Sequence, residues 1–168
     1  LNDTREEIDR MTNMVNNLLF LVKHKEKGFV EKSQVDIGGI ISKQIRAFFL
    51  YFTLNSVTII PLKEPSILMS GNVESLHRLV QNLLKNAIDY NVKGGTVTIG
   101  LNKIAGQIIL EIVDTGIGID DENKDKIFDR FYRVDESRTS SLNTGSGLGL
   151  SIVKNIVNEH KGRIDFLS

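Results

Sequence analysis

No cysteine occurs among the 168 residues, which excludes a disulfide scaffold, a thiolate nucleophile and any zinc site built on sulfur. Nor does charge of one sign prevail: Lys plus Arg number 21 and Asp plus Glu number 21. The global field therefore gives no reason to expect nucleic acid or an anionic membrane as partner. Long apolar runs are missing too. The longest uncharged stretch, Ala47 to Leu62, has 16 residues and contains Thr53, Asn55, Ser56, Thr58 and Pro61, too short and polar to span hydrocarbon. The opening LNDTREEIDRM carries acids where a secretory leader would be basic, so it does not read as a signal peptide. It reads as the interior of a longer chain, and the closing KGRIDFLS reads as a strand cut off from its partner.

Periodicity divides what is present. Ile8, Met11, Val15, Leu18, Leu19 and Val22 recur at three or four residues and predict an amphipathic first helix whose stripe needs a partner. A charged linker around Gly28 to Ser33 makes residues 1–30 an appendage to a domain over 31–168. Val35 and Ile37 suggest a short strand, and Ile40 to Tyr51 a helix. Ser56 to Leu62 and Ser66 to Ser70 read as strands, and Val73 to Tyr90 as a strongly periodic helix. Gly94-Gly95 turns the chain into strands at Thr96 to Leu101 and Gln107 to Val113. Asp125 to Tyr132 is expected to form a short helix, polar Asp135 to Thr144 a mobile loop, and Gly147 to His160 the last helix. The pattern predicts an α+β two-layer sandwich, a mixed β-sheet packed against helices.

Three short patterns carry candidate chemistry. Asn82, Asn86 and Asp89 or Tyr90 share one side of the long helix, and an amide oxygen is a hard neutral ligand suited to magnesium. Asp114 ends a strand and opens DTGIGID, where an ionised carboxylate can accept a proton from an exocyclic amine beside a glycine path that admits a planar base. Gly145 to Leu150, GSGLGL, leads into a helix whose first N–H groups can hold phosphate. It is neither a Walker A loop nor a dinucleotide fingerprint, since it lacks the following Lys-Ser/Thr and the preceding strand. Singly, each has a plainer reading: an exposed polar face, a turn, a helix cap.

Taken in order, the motifs are more specific. NLLKNAIDY resembles the N box of sensor histidine kinases, DTGIGI the G1 box, FDRFYRVD the F box and GSGLGLSIVKNIV the G2 box. Residues 34–168 thus resemble the ATP-binding catalytic domain of a bacterial two-component sensor kinase, with the Bergerat-type fold shared with gyrase and the heat-shock 90 chaperones. EEIDRMTNMVNNLLFL is similar to the second helix of the dimerisation and histidine-phosphotransfer domain that precedes it. The resemblance implies ATP and magnesium as ligands. Asn86 would coordinate the metal, Asn82 would help position it or the phosphates, and Tyr90 would lie against the nucleotide. Asp114 would take the adenine amino group's hydrogen bond, with Gly116 and Gly118 shaping that pocket. Gly145, Gly147, Leu148 and Gly149 would approach the phosphates. Arg133, assisted by Arg138, would stabilise the transferring phosphoryl group, and Phe128 and Phe131 would anchor the loop by packing. Expected partners are a phosphoacceptor histidine domain, a response regulator aspartate and a second copy in a homodimer. The fragment would be soluble and cytoplasmic, the full-length protein in the bacterial cell membrane. An anti-sigma-type serine kinase and a noncatalytic ATP-responsive interaction module are the alternatives.

Two departures stand out. Many relatives carry Lys where this chain has Asp89, an acid that would repel ATP unless it points away or is compensated by Lys85 or Lys93. The resemblance puts the family's acceptor histidine, with an acidic neighbour, on the first phosphotransfer helix, which these 168 residues are not expected to include. His24, His77 and His160 read instead as a helix-end charge, a packed or surface group, and a C-terminal dipole partner.

Overall fold

The computed structural model describes residues 2–26, 32–60, 66–134 and 145–167, with α1 side chains described at Thr4, Glu7, Ile8 and 11–22. The chain divides into two compact units, Glu31–Asp120 with Asp165–Ser168, and Leu1–Val30 with Asp121–Ile164. The first holds all the described strands.

In the strand-bearing unit, β1 (Ser33–Asp36) pairs antiparallel with β3 (Leu68–Gly71). A second sheet has the order β2 (Thr58–Ile60), β4 (Thr96–Ile104), β5 (Gln107–Asp114), with β2 parallel and β5 antiparallel to β4. The β4–β5 register, Ile104 opposite Gln107, leaves a two-residue loop. Ala105 and Gly106 both take positive φ there, +50° and +83°, the hand that matches strand twist in a hairpin. Val97, Ile99 and Leu101 alternate into the interior of β4, the period-2 pattern of a half-buried strand.

Helices cover this sheet. The amphipathic α4 (Val73–Asp89) lies against β5 and α2 (Ile37–Ala47) against α4. Asn72 caps α4 by accepting from the Ser75 N–H at 2.9 Å, which satisfies one orphan donor. Leu76, Leu79, Val80, Leu84, Ala87 and Ile88 are its buried stripe, so the face carrying Asn82 and Asn86 is turned from the core. Ile40 to Tyr51 does not form one helix: the chain breaks at Phe48 and resumes as α3 (Phe49–Leu54). Phe48, Phe49, Tyr51 and Phe52 crowd aromatic groups whose restricted χ1 disfavours a continuous helix. The break buries Phe52 and brings the Tyr51 hydroxyl to α4.

In the helical unit, α1 (Asn2–Glu26) contacts α5 (Gly149–Glu159). Phe20 and Leu21 are buried, whereas Ile8, Met11, Val15, Leu19 and Val22 of the expected stripe are exposed. No other helix covers them among the described residues. Asp125 to Tyr132 is a run of turns after a 3-10 turn at Asp121–Asn123, not a helix. The Phe131 N–H goes to the carbonyl of Gly147 at 2.9 Å, and its φ of +65° is incompatible with a right-handed helix. Residues 162–167 form no strand, because no described segment offers them a ladder. Asp135 to Thr144 lies outside the described residues. No described helix is long and apolar enough to cross a membrane.

Candidate functional site

The face of α4 is built first. About 3.6 residues per turn places Asn82, Asn86 and Tyr90 side by side, and all three are half-buried. Asn82 donates Nδ2–H to the Arg78 carbonyl at 3.0 Å, which leaves its Oδ1 unbonded among the described residues. The Asn86 side chain makes no hydrogen bond among them. Two open amide oxygens one turn apart fit a hard cation whose remaining ligands are water and substrate phosphates. Such a site needs no carboxylate cage, and the described residues contain no group of three His, Cys, Asp or Glu suited to metal.

Asp114 is brought to the C-terminal end of this helix by a chain of backbone bonds. Its Oδ1 accepts the Gly116 N–H at 2.9 Å, and the next amide, Ile117 N–H, donates to the Tyr90 carbonyl at 3.0 Å. A Cβ on Gly116 would collide with that carbonyl oxygen and stand 2.7 Å from Asp114 Oδ1. Glycine is therefore dictated by close approach. Asp114 is exposed and its Oδ2 accepts nothing among the described residues, so one carboxylate oxygen shapes the turn while the other faces outward. Gly118, φ +70°, continues the turn in the left-handed region.

Supporting groups were not evident from motif spacing. Thr115 Oγ1 accepts from the Thr96 N–H at 2.8 Å and donates to Asn91 Oδ1 at 3.2 Å. Asn91 in turn donates to the carbonyls of Ala87 at 3.0 Å and Thr96 at 3.1 Å. This lattice ties the end of α4, the start of β4 and the Asp114 turn together. Only the Thr within DTG hinted at it, since its partners lie up to 24 residues away.

In the helical unit, Gly147 (φ +70°) has its Cβ position 2.7 Å from the Phe131 carbonyl carbon. The residue must be glycine for the F-box turn and the glycine-rich turn to meet. Leu148 is buried before α5, Gly149 is its first residue, and Gly145 is half-exposed just upstream. Arg133 is half-buried, whereas Arg138 lies outside the described residues. Phe131 is 52% exposed, which removes it as a packing anchor. Half-buried Phe128 takes the Lys154 ammonium 5.5 Å from its ring. Phe128 also lines a cleft of about 260 Å³ with Arg130, Asn155 and Asn158 among others, which contains none of the residues expected to bind nucleotide or magnesium.

Asp89 does not stand alone. Its Oδ1 accepts the Tyr51 hydroxyl at 2.5 Å and its Oδ2 pairs with Lys85 Nζ at 2.6 Å, while Lys93 makes no ion pair among the described residues. Burial works against the Lys85 ammonium, but the charge and hydrogen bond of Asp89 outweigh it and raise its pKa. Burial and then the Asp89 bond raise that of Tyr51. The described histidines are spoken for. His77 Nδ1 accepts from Gln44 at 3.2 Å, with burial and the Lys43 charge lowering its pKa, and His160 donates to the Ile156 carbonyl at 2.8 Å. The His24 side chain lies outside the described residues.

With this geometry in view, comparison with known proteins is decisive. The profile of the family described as histidine kinase-, DNA gyrase B- and HSP90-like ATPase matches residues 71–168. The chain belongs to this ATPase family. It is 32% identical to Drug sensory protein A of Synechocystis over 100% of its length, and 36% identical to the sensor protein kinase WalK of Staphylococcus aureus over 98%. In both cases it spans 27% of the relative's length. Among solved structures, the mycobacterial sensor histidine kinase MprB superposes with a TM-score of 0.62 at 30% identity, over 78% of this chain and 81% of that one. The ATPase-family segment is the catalytic ATP-binding domain of a bacterial two-component sensor histidine kinase, and its sheet packed against helices agrees with the Bergerat fold.

Two outcomes follow. Gly116→Ala forces a methyl group into the Tyr90 carbonyl and should cost about 1–3 kcal/mol, read as a lower urea midpoint at unchanged slope; an unchanged midpoint would show that the turn does not rest on this approach. Lys85 and Tyr51 both hold their protons more tightly when folded, so their contribution is complete below about pH 10 and is lost as pH rises through the raised folded values. Melting temperature between about pH 8 and pH 11 should therefore decline more steeply in wild type than in Tyr51→Phe, and parallel curves would contradict the coupling.

Proposed function

We propose that this chain is the ATP-binding catalytic portion of a sensor kinase that transfers the γ-phosphoryl group of ATP to a histidine outside these residues, for relay to a response-regulator aspartate. The observation that carries the reading is Asp114: an exposed carboxylate oxygen left open beside a turn in which glycine alone fits. That arrangement suits the amino edge of adenine, with Gly116 and Gly118 flanking the ring and Tyr90 against the nucleotide. Asn86, with Asn82 beside it, holds magnesium, which neutralises phosphate charge when bound. Gly145, Gly147, Leu148 and Gly149 present the N–H groups at the start of α5 to the phosphates.

The protein's part in the reaction is alignment and charge stabilisation. The bond between the γ-phosphorus and its bridging oxygen breaks, a phosphorus–nitrogen bond forms to the acceptor imidazole, ADP departs and the imidazole proton passes to solvent. Arg133, with Arg138, stabilises charge on the transferring group. Residues 1–30 serve as the second helix of the dimerisation and phosphotransfer domain and 31–168 as the catalytic domain. The exposed α1 stripe supports assembly with further helices in a homodimer. We place this portion in the cytoplasm and the whole protein in the bacterial membrane. Identity of 32–36% to sensory proteins over nearly the entire chain favours a histidine kinase over an anti-sigma-type serine kinase.

Calorimetry tests the reading. Wild type is expected to bind ATP in a magnesium-dependent manner; Asn86→Ala should abolish that dependence, and Asp114→Ala should weaken binding by about tenfold to a hundredfold, the worth of a charge-assisted hydrogen bond. Absence of wild-type binding, or variants that bind as wild type does, would overturn it.

A further inference from the structure

The acid at position 89 sits beside a helix face that would carry phosphate, and the cluster around it resolves the conflict. At about 100° and 1.5 Å per residue along α4, Asp89 stands one turn beyond Asn86 and one turn beyond Lys85, and both charged residues are offset from Asn86 toward the same flank of the helix. The pair thus borders the amide face.

Both Asp89 oxygens are engaged, one by the Tyr51 hydroxyl and one by Lys85 Nζ. Its side chain is only 7% exposed, against 43% for Lys85. The ring of contacts closes, because Lys85 Nζ also donates to the Tyr51 oxygen at 3.3 Å and lies 5.2 Å from the centre of the Tyr51 ring. Tyr51 is both donor and acceptor, bridging carboxylate and ammonium. An ammonium has three N–H donors. Two are used here, and among the described residues the third has no partner. A long flexible lysine is therefore pinned at two points, its counter-ion nearly buried and one donor left without a partner among the described residues.

We propose that Lys85 binds the phosphates of the nucleotide, with Tyr51 and Asp89 as positioning residues that fix its ammonium at the flank of the amide face. This rests on the nucleotide reading of the α4 face. The acid draws the cation into place instead of opposing the ligand, and Tyr51 couples α3 to the site.

The test compares Mg-ATP with adenosine, which shares the base but has no phosphate, by titrations of the nitrogen-15-labelled chain followed by NMR. Lys85→Met should weaken Mg-ATP at least tenfold, about 1.4 kcal/mol, while adenosine affinity stays within about twofold. Lys85→Arg, which keeps charge and stem, should retain Mg-ATP affinity within about threefold and guards against misfolding of the Met variant. Tyr51→Phe should weaken Mg-ATP about threefold, with adenosine unmoved. Equal losses for both ligands would make Lys85 a packing residue, and unchanged Mg-ATP affinity in Lys85→Met would remove it from the site; either overturns the inference. Failure of wild type to bind either ligand would overturn the nucleotide reading itself, and this inference with it.

Discussion

The hydrogen bond from the Ile117 N–H to the Tyr90 carbonyl is the constraint on which the candidate site depends. It joins the last turn of α4 to the chain leaving β5, two segments that approach only because Gly116 has no side chain. Asp114 is set by the same turn, giving one oxygen to the Gly116 N–H and leaving the other outward. A free Asp-Thr-Gly turn would sample many carboxylate directions. Here Thr115 and Asn91 bind its flanks to the starts and ends of neighbouring elements, so the acceptor is fixed before any ligand arrives. Pre-organisation of this kind lowers the ordering cost of binding.

Charge follows the same logic at the flank of the amide face of α4. A carboxylate left by itself on a phosphate-facing helix would oppose binding, and a buried one would carry a desolvation penalty. The contacts from Tyr51 and Lys85 relieve both problems, and Tyr51 makes its contact from α3, the helix that follows the break at Phe48. An apparently adverse substitution in the N box is thus a local ion pair with a tyrosine bridge.

Much of this was legible in the chain, for physical reasons. Val73 to Tyr90 and the strands flanking Gly106 were readable because apolar residues recur at the period of the element they form. Asn82, Asn86 and Asp114 could be singled out because their chemistry and neighbours are local in sequence. What was not legible depends on distant partners. Asp125 to Tyr132 has helix-like spacing, yet Phe131 spends its N–H on Gly147 and takes a left-handed conformation. The aromatic crowding at Phe48 contains no proline or glycine to announce a break. KGRIDFLS has strand-like residues but no described strand to pair with, and strands exist only in pairs. The α1 stripe is legible as amphipathic from its spacing, and among the described residues most of it is exposed, as a stripe in need of a partner would be.

Amide hydrogen exchange tests the central claim most directly. Gly116 and Ile117 should be protected in the free chain by Asp114 and the Tyr90 carbonyl, and saturating Mg-ATP should slow their exchange further, together with the amides of Gly147 to Leu150. Fast exchange at Gly116 and Ile117 in the free chain, or no change at either turn on adding Mg-ATP, would contradict the account.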